Sequence, residues 1–215
     1  MKIKITRQTL IQGVEELAKR DSGFARVYAQ AGVPTLRARP AGFATLLRII
    51  LAQQVSTASA RAIIGRLEAA VNPLTAETFL ALNDKALQAI GFSRAKAVYG
   101  RGLAEAVRDG DLRLKSVARM DDESAIEALV KMKGVGRWSA EVYLLFALRR
   151  PDLWPVDDLA IVEAVRRLKG LEERPNRIEM LELGEAWRPW RSVAARMLWH
   201  YYNTVPAETG AKTPV

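Results

Sequence analysis

Cysteine is absent from all 215 residues, and histidine occurs once, at His200. Without thiols there is no disulfide, no thiolate nucleophile, no iron–sulfur cluster and no cysteine-ligated zinc. A single imidazole leaves little material for a histidine-built metal site or a Ser-His-Asp triad. His200 follows Trp199 in an aromatic segment and reads as a structural partner or a surface group, not as a catalyst. Long apolar runs are missing too. The opening "MKIKITRQTL" has no apolar core of signal-peptide length, and no run approaches a membrane span. These absences predict an intracellular protein with no membrane partner, in the cytoplasm or nucleoid if the source is bacterial.

Positive charge, by contrast, is in excess. Lys and Arg outnumber Asp and Glu by 33 to 24, giving a net charge of +9. That surplus favours a polyanionic partner, nucleic acid first and an anionic membrane surface second. A generic solubilising surface would also carry it, so charge nominates a partner without deciding it. Hydrophobic residues at 49% and charged residues at 27% place the chain among ordinary globular proteins. The length allows one large domain or two small lobes.

Helical periodicity dominates the chain. "TLIQGVEELAKR" (9–20) puts Leu10, Val14 and Leu17 on one face. "GFATLLRIILAQQV" (42–55) is apolar almost all round and predicts a central buried helix. "ASARAIIGRLEAAV" (58–71) stops at Asn72-Pro73. Two short helical stretches follow, then "SRAKAVYGRGLAEAVRDG", with Ser93 as N-cap and Gly110 as its stop. Beyond it come "DDESAIEALVKM", "RWSAEVYLLFAL", "DLAIVEAVRRL", "RIEMLELGEAW" and "WRSVAARMLWHYYN". The only strand-like alternation is Met1–Ile5, and the tail from 205 to 215 is expected to fray. The prediction is an all-α protein of about ten helices, with one helical domain over 1–204.

The stretch around Lys133-Gly134-Val135-Gly136-Arg137 is the most informative. Asp121 or Asp122 can cap a helix that turns Ile126, Leu129, Val130 and Met132 inward. The two glycines permit positive φ and remove side chains that would block a ligand. A helix starting near Arg137 offers unpaired N–H groups and a partial positive charge, which suit a phosphate, and Lys133 and Arg137 add full charges. Some twenty residues on, Asp157-Asp158 precedes another helix; two adjacent acids there can be simple caps or a source of chemistry.

"LVKMKGVGRWSAEV", "WPVDDLAI" and "WRPWRSVAARMLWHYY", in that order, resemble the helix–hairpin–helix DNA glycosylases. The resemblance is nearest to the 3-methyladenine DNA glycosylase II group, in a compact form without the N-terminal sheet domain. It extends upstream to "RIILAQQVSTASA" and "IGFSRAKA" and so covers about 43–202. It implies a two-lobed all-α fold with its active-site cleft between lobes, the hairpin motif spanning about 121–148. It also implies a monomeric DNA repair hydrolase that flips damaged, alkylated purines out of double-stranded DNA and cleaves the N-glycosidic bond. A sister glycosylase for other lesions, or a non-catalytic helix–hairpin–helix DNA-binding module, stands as the alternative.

The resemblance places the catalytic carboxylate at Asp158 and leaves Asp157 as the N-cap. It aligns Trp138 and Trp199 with pocket aromatics, and Val142 with a position where the group can have a pocket tyrosine. Trp138 also stands where lyase relatives that resemble endonuclease III hold a Schiff-base lysine, which implies no strand cleavage. DNA contacts are implied for Lys133, Gly134, Val135, Gly136 and Arg137. In the turn "AQQVS", Gln54 occupies the position of the wedge that fills the gap left by the flipped base. Gln53 and Ser56 either contact DNA nearby or cap a buried helix end. Trp187 and Trp190 read as packing residues, and Trp154 as a loop anchor. No organic cofactor is required; a sodium or potassium ion on the carbonyls of Val130, Met132 and Val135 is implied.

Overall fold

A computed structural model describes residues 4–206. Among them are thirteen helices and no strand. In chain order these are α1 (Arg7–Arg20), α2 (Ser22–Ala31), α3 (Phe43–Ala52), α4 (Thr57–Ala70), α5 (Ala76–Leu80), α6 (Asp84–Ile90) and α7 (Arg94–Asp109). They continue as α8 (Leu114–Val117), α9 (Asp122–Val130), α10 (Arg137–Phe146), α11 (Leu159–Lys169), α12 (Arg177–Glu185) and α13 (Arg191–Thr204). Sequence periodicity misses α2, whose buried side chains are few, and α8, which at four residues shows no period. Residues 1–3 of the strand-like stretch and 207–215 of the expected tail lie outside the described residues. Ile5 is buried and donates its N–H to the carbonyl of Arg149 at 2.8 Å.

Two compact units make up the chain. One takes residues 1–37 and 149–215; the other is the unbroken segment 38–148. In the first, α13 packs on α1, α2 and α11. Thr6 and Thr9 form a capping box that starts α1, and Leu10, Val14 and Leu17 are buried on one face, as their spacing predicts. Trp187 is the pivot of this core. Its ring meets Phe24 edge-on at 5.1 Å and Trp154 at 4.9 Å, and truncating so buried a tryptophan costs about 3–5 kcal/mol. Trp154 donates its indole N–H to the Met180 carbonyl, and His200 bonds the carbonyl of Ala31 at 2.6 Å, a structural role.

The second unit is built around α3, which packs against α4, α7 and α10. Its Leu46, Leu47, Ile50 and Leu51 are fully buried, as expected of a helix apolar on nearly every side. It ends at Ala52, three residues short of the predicted span, and Gln53 to Val55 form a turn instead. Ser93 caps α7 and Gly110 stops it in a left-handed conformation, both as predicted.

Candidate functional site

The hairpin joins α9 to α10 in the second unit. Asp121, not Asp122, is the cap of α9, its carboxylate accepting the N–H of Ser124 at 2.9 Å. Ile126 and Leu129 are buried as expected, but Val130, the last residue of α9, is 42% exposed. The two glycines have different reasons to be glycine. Gly134 has φ +87, and a Cβ there would lie 2.4 Å from the Tyr99 ring. Gly136 has φ −83 and open space where a Cβ would stand, so the expectation of positive φ fails at this residue. Among the described residues no atom stands where a Cβ at 136 would go; what its bareness permits is close approach from outside.

Gly136 is the N-cap of α10, and the helix starts at Arg137 with no side-chain acceptor at the cap for its first N–H groups. Lys133 is exposed beside them. Arg137 carries its full charge but shares it with two carboxylates of its own chain. Its guanidinium forms a two-pronged pair with Glu123 at 2.6 and 2.8 Å and reaches Glu141 at 3.0 Å, stitching α9 to α10. The Glu123 hydrogen bonds hold Arg137 still more firmly in its charged form, and Arg137 holds the Glu123 carboxyl below its usual value.

The α3–α4 turn borders the same depression of about 760 Å³ as the hairpin. Gln54 is exposed and adopts φ +53, an unusual conformation for a residue with a side chain. Gln53 points the other way. Its amide donates to the Gly134 carbonyl at 2.9 Å and to Ser139 Oγ at 2.8 Å, so it ties the turn to the hairpin. Ser56 is the N-cap of α4, accepting the Ser59 N–H at 3.1 Å, and is exposed, so the cap is not a buried one.

In the first unit the helix cap expected of Asp157 falls to Asp158 instead. Asp158 is the N-cap of α11: its Oδ1 accepts the N–H groups of Ala160 and Ile161, each at 3.0 Å. Asp157 is exposed and accepts a hydrogen bond from Arg177 at the start of α12. The cap goes to the residue whose side chain turns back over the first helical turn, and Arg177 takes up the other. The indole N–H of Trp199, on α13, also donates to Asp158 Oδ1 at 3.0 Å. A buried carboxylate whose plane is fixed by three donors is a preorganised negative charge.

Residues 47–189 match the family described as HhH-GPD superfamily base excision DNA repair protein. The chain belongs to that superfamily. DNA-3-methyladenine glycosylase 1 of Schizosaccharomyces pombe is 35% identical over 158 residues, which cover 72% of this chain and 69% of that protein. The alkylbase DNA glycosidase-like protein mag2 of the same yeast is 29% identical over 192 residues, covering 86% of this chain and 90% of the other. A solved structure of S. pombe 3-methyladenine DNA glycosylase (Mag1) in complex with abasic DNA matches with a TM-score of 0.81 at 28% identity. That match covers 90% of this chain and 98% of the other.

The remaining residues implied by the HhH-GPD resemblance divide between the units. Trp138 and Val142 are four residues apart on α10, hence on one helix face, and both are partly exposed. Trp199 is partly exposed beside Asp158. Trp187 and Trp190 are buried packing residues, as predicted. Within the hairpin, Met132 O accepts the Val135 N–H at 2.9 Å, and among the described residues no backbone N–H donates to the carbonyls of Val130 or Val135. Carbonyl oxygens of this kind suit a hard cation. Tyr99 and Lys96, both on α7, border the hairpin depression; Lys96 lies within the quoted "IGFSRAKA" block, but the sequence assigns neither residue a role. Among the described residues no helix is long and apolar enough to cross a membrane.

Proposed function

We propose that this protein is a monofunctional DNA glycosylase that removes alkylated purines, of the 3-methyladenine and 7-methylguanine type, from duplex DNA. The observation that carries the reading is Asp158: a buried carboxylate, capped onto α11 and fixed by Trp199, in a chain similar to a named 3-methyladenine glycosylase. When the bond from C1′ to the purine nitrogen breaks, its electron pair leaves with the base. In a purine alkylated at N3 or N7 that pair neutralises a cationic ring, so the departing base needs little further help. The sugar carbon becomes cation-like, and a fixed carboxylate stabilises it. Water then forms the new C1′–O bond, its proton passing to the Asp158 carboxylate or to solvent.

Gly134, Gly136 and the start of α10 would hold a backbone phosphate through N–H groups, with Lys133 as the nearby cation; the N–H of Val135 is already donated to Met132 O and leaves that residue a place in the turn only. Gln54 would enter the stack in place of the extruded base, its amide able to bond the orphaned partner. Trp199, beside Asp158, would offer an electron-rich ring face that attracts a cationic purine by about 0.5–2 kcal/mol, and the pocket roles of Trp138 and Val142 rest on the resemblance. A sodium or potassium ion on the Val130, Met132 and Val135 carbonyls would neutralise a phosphate at the hairpin. With Trp138 in place of a lysine, no Schiff base forms there and the product is an abasic site in an intact strand.

Incubation with duplexes that each carry one defined lesion, followed by chromatography of the released bases, tests this reading. Release of alkylated purines and no covalent complex on borohydride treatment are expected. Tight duplex binding with no base released would make the protein a binding module, and a trapped lysine adduct would overturn the monofunctional assignment.

A further inference from the structure

The turn carrying Gln54 is strained, and it is held from one side. A left-handed residue with a side chain persists only where its surroundings fix it, and here φ is +53. Two carbonyls, that of Leu51 at the end of α3 and that of Gln53 in the turn, each accept a hydrogen bond from Lys96 Nζ at 2.8 Å. Lys96 lies in the first turn of α7, and its ammonium also opposes the negative end of the α3 dipole. Burial holds its pKa below the ordinary lysine value. One helical turn further along α7, the Tyr99 ring fills the space beneath Gly134. Gln53 completes the frame by bonding Gly134 and Ser139.

A wedge in a DNA stack works against a restoring force of a few kcal/mol, so its backbone must not give way. Lys96 grips backbone carbonyls on either side of Ala52 and leaves the Gln54 side chain exposed. The hairpin has its own supports in Tyr99 and Gln53. We propose that Lys96 is a positioning residue for base extrusion, holding the Gln54 turn rigid while the hairpin holds the phosphate. This rests on the reading of Gln54 as the wedge.

The test uses the full chain with Lys96→Met, Lys96→Arg and Gln54→Ala. The probe is a duplex with one 7-methylguanine and 2-aminopurine beside it, whose fluorescence reports unstacking. Lys96→Met should keep its affinity for undamaged duplex within about twofold, since phosphate contacts remain. Its unstacking signal and kcat should fall together by roughly tenfold or more, with little change in KM, and Lys96→Arg should recover part of the loss. Circular dichroism checks the fold; should Lys96→Met not fold, Lys96→Gln replaces it under the same criteria. Normal extrusion by folded Lys96→Met, with Gln54→Ala impaired, would overturn the role of Lys96 alone. An equal loss of undamaged-duplex binding would also overturn it, since the hairpin would then have loosened too. Normal extrusion by Gln54→Ala would remove the wedge reading and this inference with it.

Discussion

The indole N–H of Trp199 and the helix cap of α11 converge on one oxygen, Asp158 Oδ1, with Trp199 Nε1 at 3.0 Å. A side chain from α13 therefore sets the plane of a carboxylate on α11, and chemistry assigned to Asp158 depends on both helices.

Asp158→Asn keeps a cap, because an amide oxygen can still accept the Ala160 and Ile161 N–H groups. Base release should fall at least ~10²-fold while binding to lesion DNA persists or tightens, as a repulsive charge is gone. Asp157→Asn removes a partner of Arg177 only and should leave turnover within about threefold. Single-turnover excision assays compare the two, and near-normal turnover in Asp158→Asn would move the catalytic role elsewhere.

Trp199→Phe retains a ring and deletes the N–H. A hydrogen bond to a charged group contributes about 1.5–3 kcal/mol, so the excision rate should drop about tenfold or more. Inhibition by a free alkylated purine, which reads the aromatic face, should change much less. Equal losses in both would mean that Trp199 acts through its ring alone.

The two hairpin glycines should separate cleanly. Gly134→Ala places a Cβ against Tyr99 in a left-handed residue and should lower the melting temperature by several degrees. Gly136→Ala meets no atom and should melt like the wild type. A bulkier Gly136→Leu should weaken binding to damaged and undamaged duplexes alike without straining the turn. Lys133→Ala should shallow the salt dependence of binding by a slope of about one. If Gly136→Leu binds DNA normally, the hairpin is only a turn.

Glu163 supplies a stability test. Hydrogen bonds from Arg166 first, then Arg174 and Arg167, pull its pKa from 4.5 down to about 2. A lowered carboxylate pKa contributes stability that is fully present above the unfolded value and lost as pH falls from about 4.5 through about 2. Glu163→Gln should therefore cost about 2 kcal/mol at neutral pH, roughly 4–8 °C in Tm, and the gap to wild type should close on acidification. A gap that stays constant between pH 7 and pH 3 would assign the loss to packing instead.

Much of the site can be read locally. Glycines, caps and acids act within four residues of themselves, so the α9–α10 hairpin, the Ser93 cap and the helix start at Arg137 follow from sequence. Lys96 and Gln53 cannot be read that way. Their partners lie 45 residues away at Leu51 and 81 away at Gly134, and no periodicity encodes such a pairing. The assignment of the α11 cap to Asp157 fails for the same reason: chemically alike neighbours are told apart by Arg177 and Trp199, which arrive from other helices.

Connectivity also gives the two units different histories. The hairpin-bearing segment 38–148 is continuous, whereas the unit around Asp158 is assembled from 1–37 and 149–215. On a ribosome, domains fold as units from the N-terminal side. All of α3 through α10 has been synthesised before residue 149, while Asp158 must wait for Trp199, some forty residues later. The half proposed to hold the phosphate is thus translated whole while the half proposed to carry the chemistry is still unfinished.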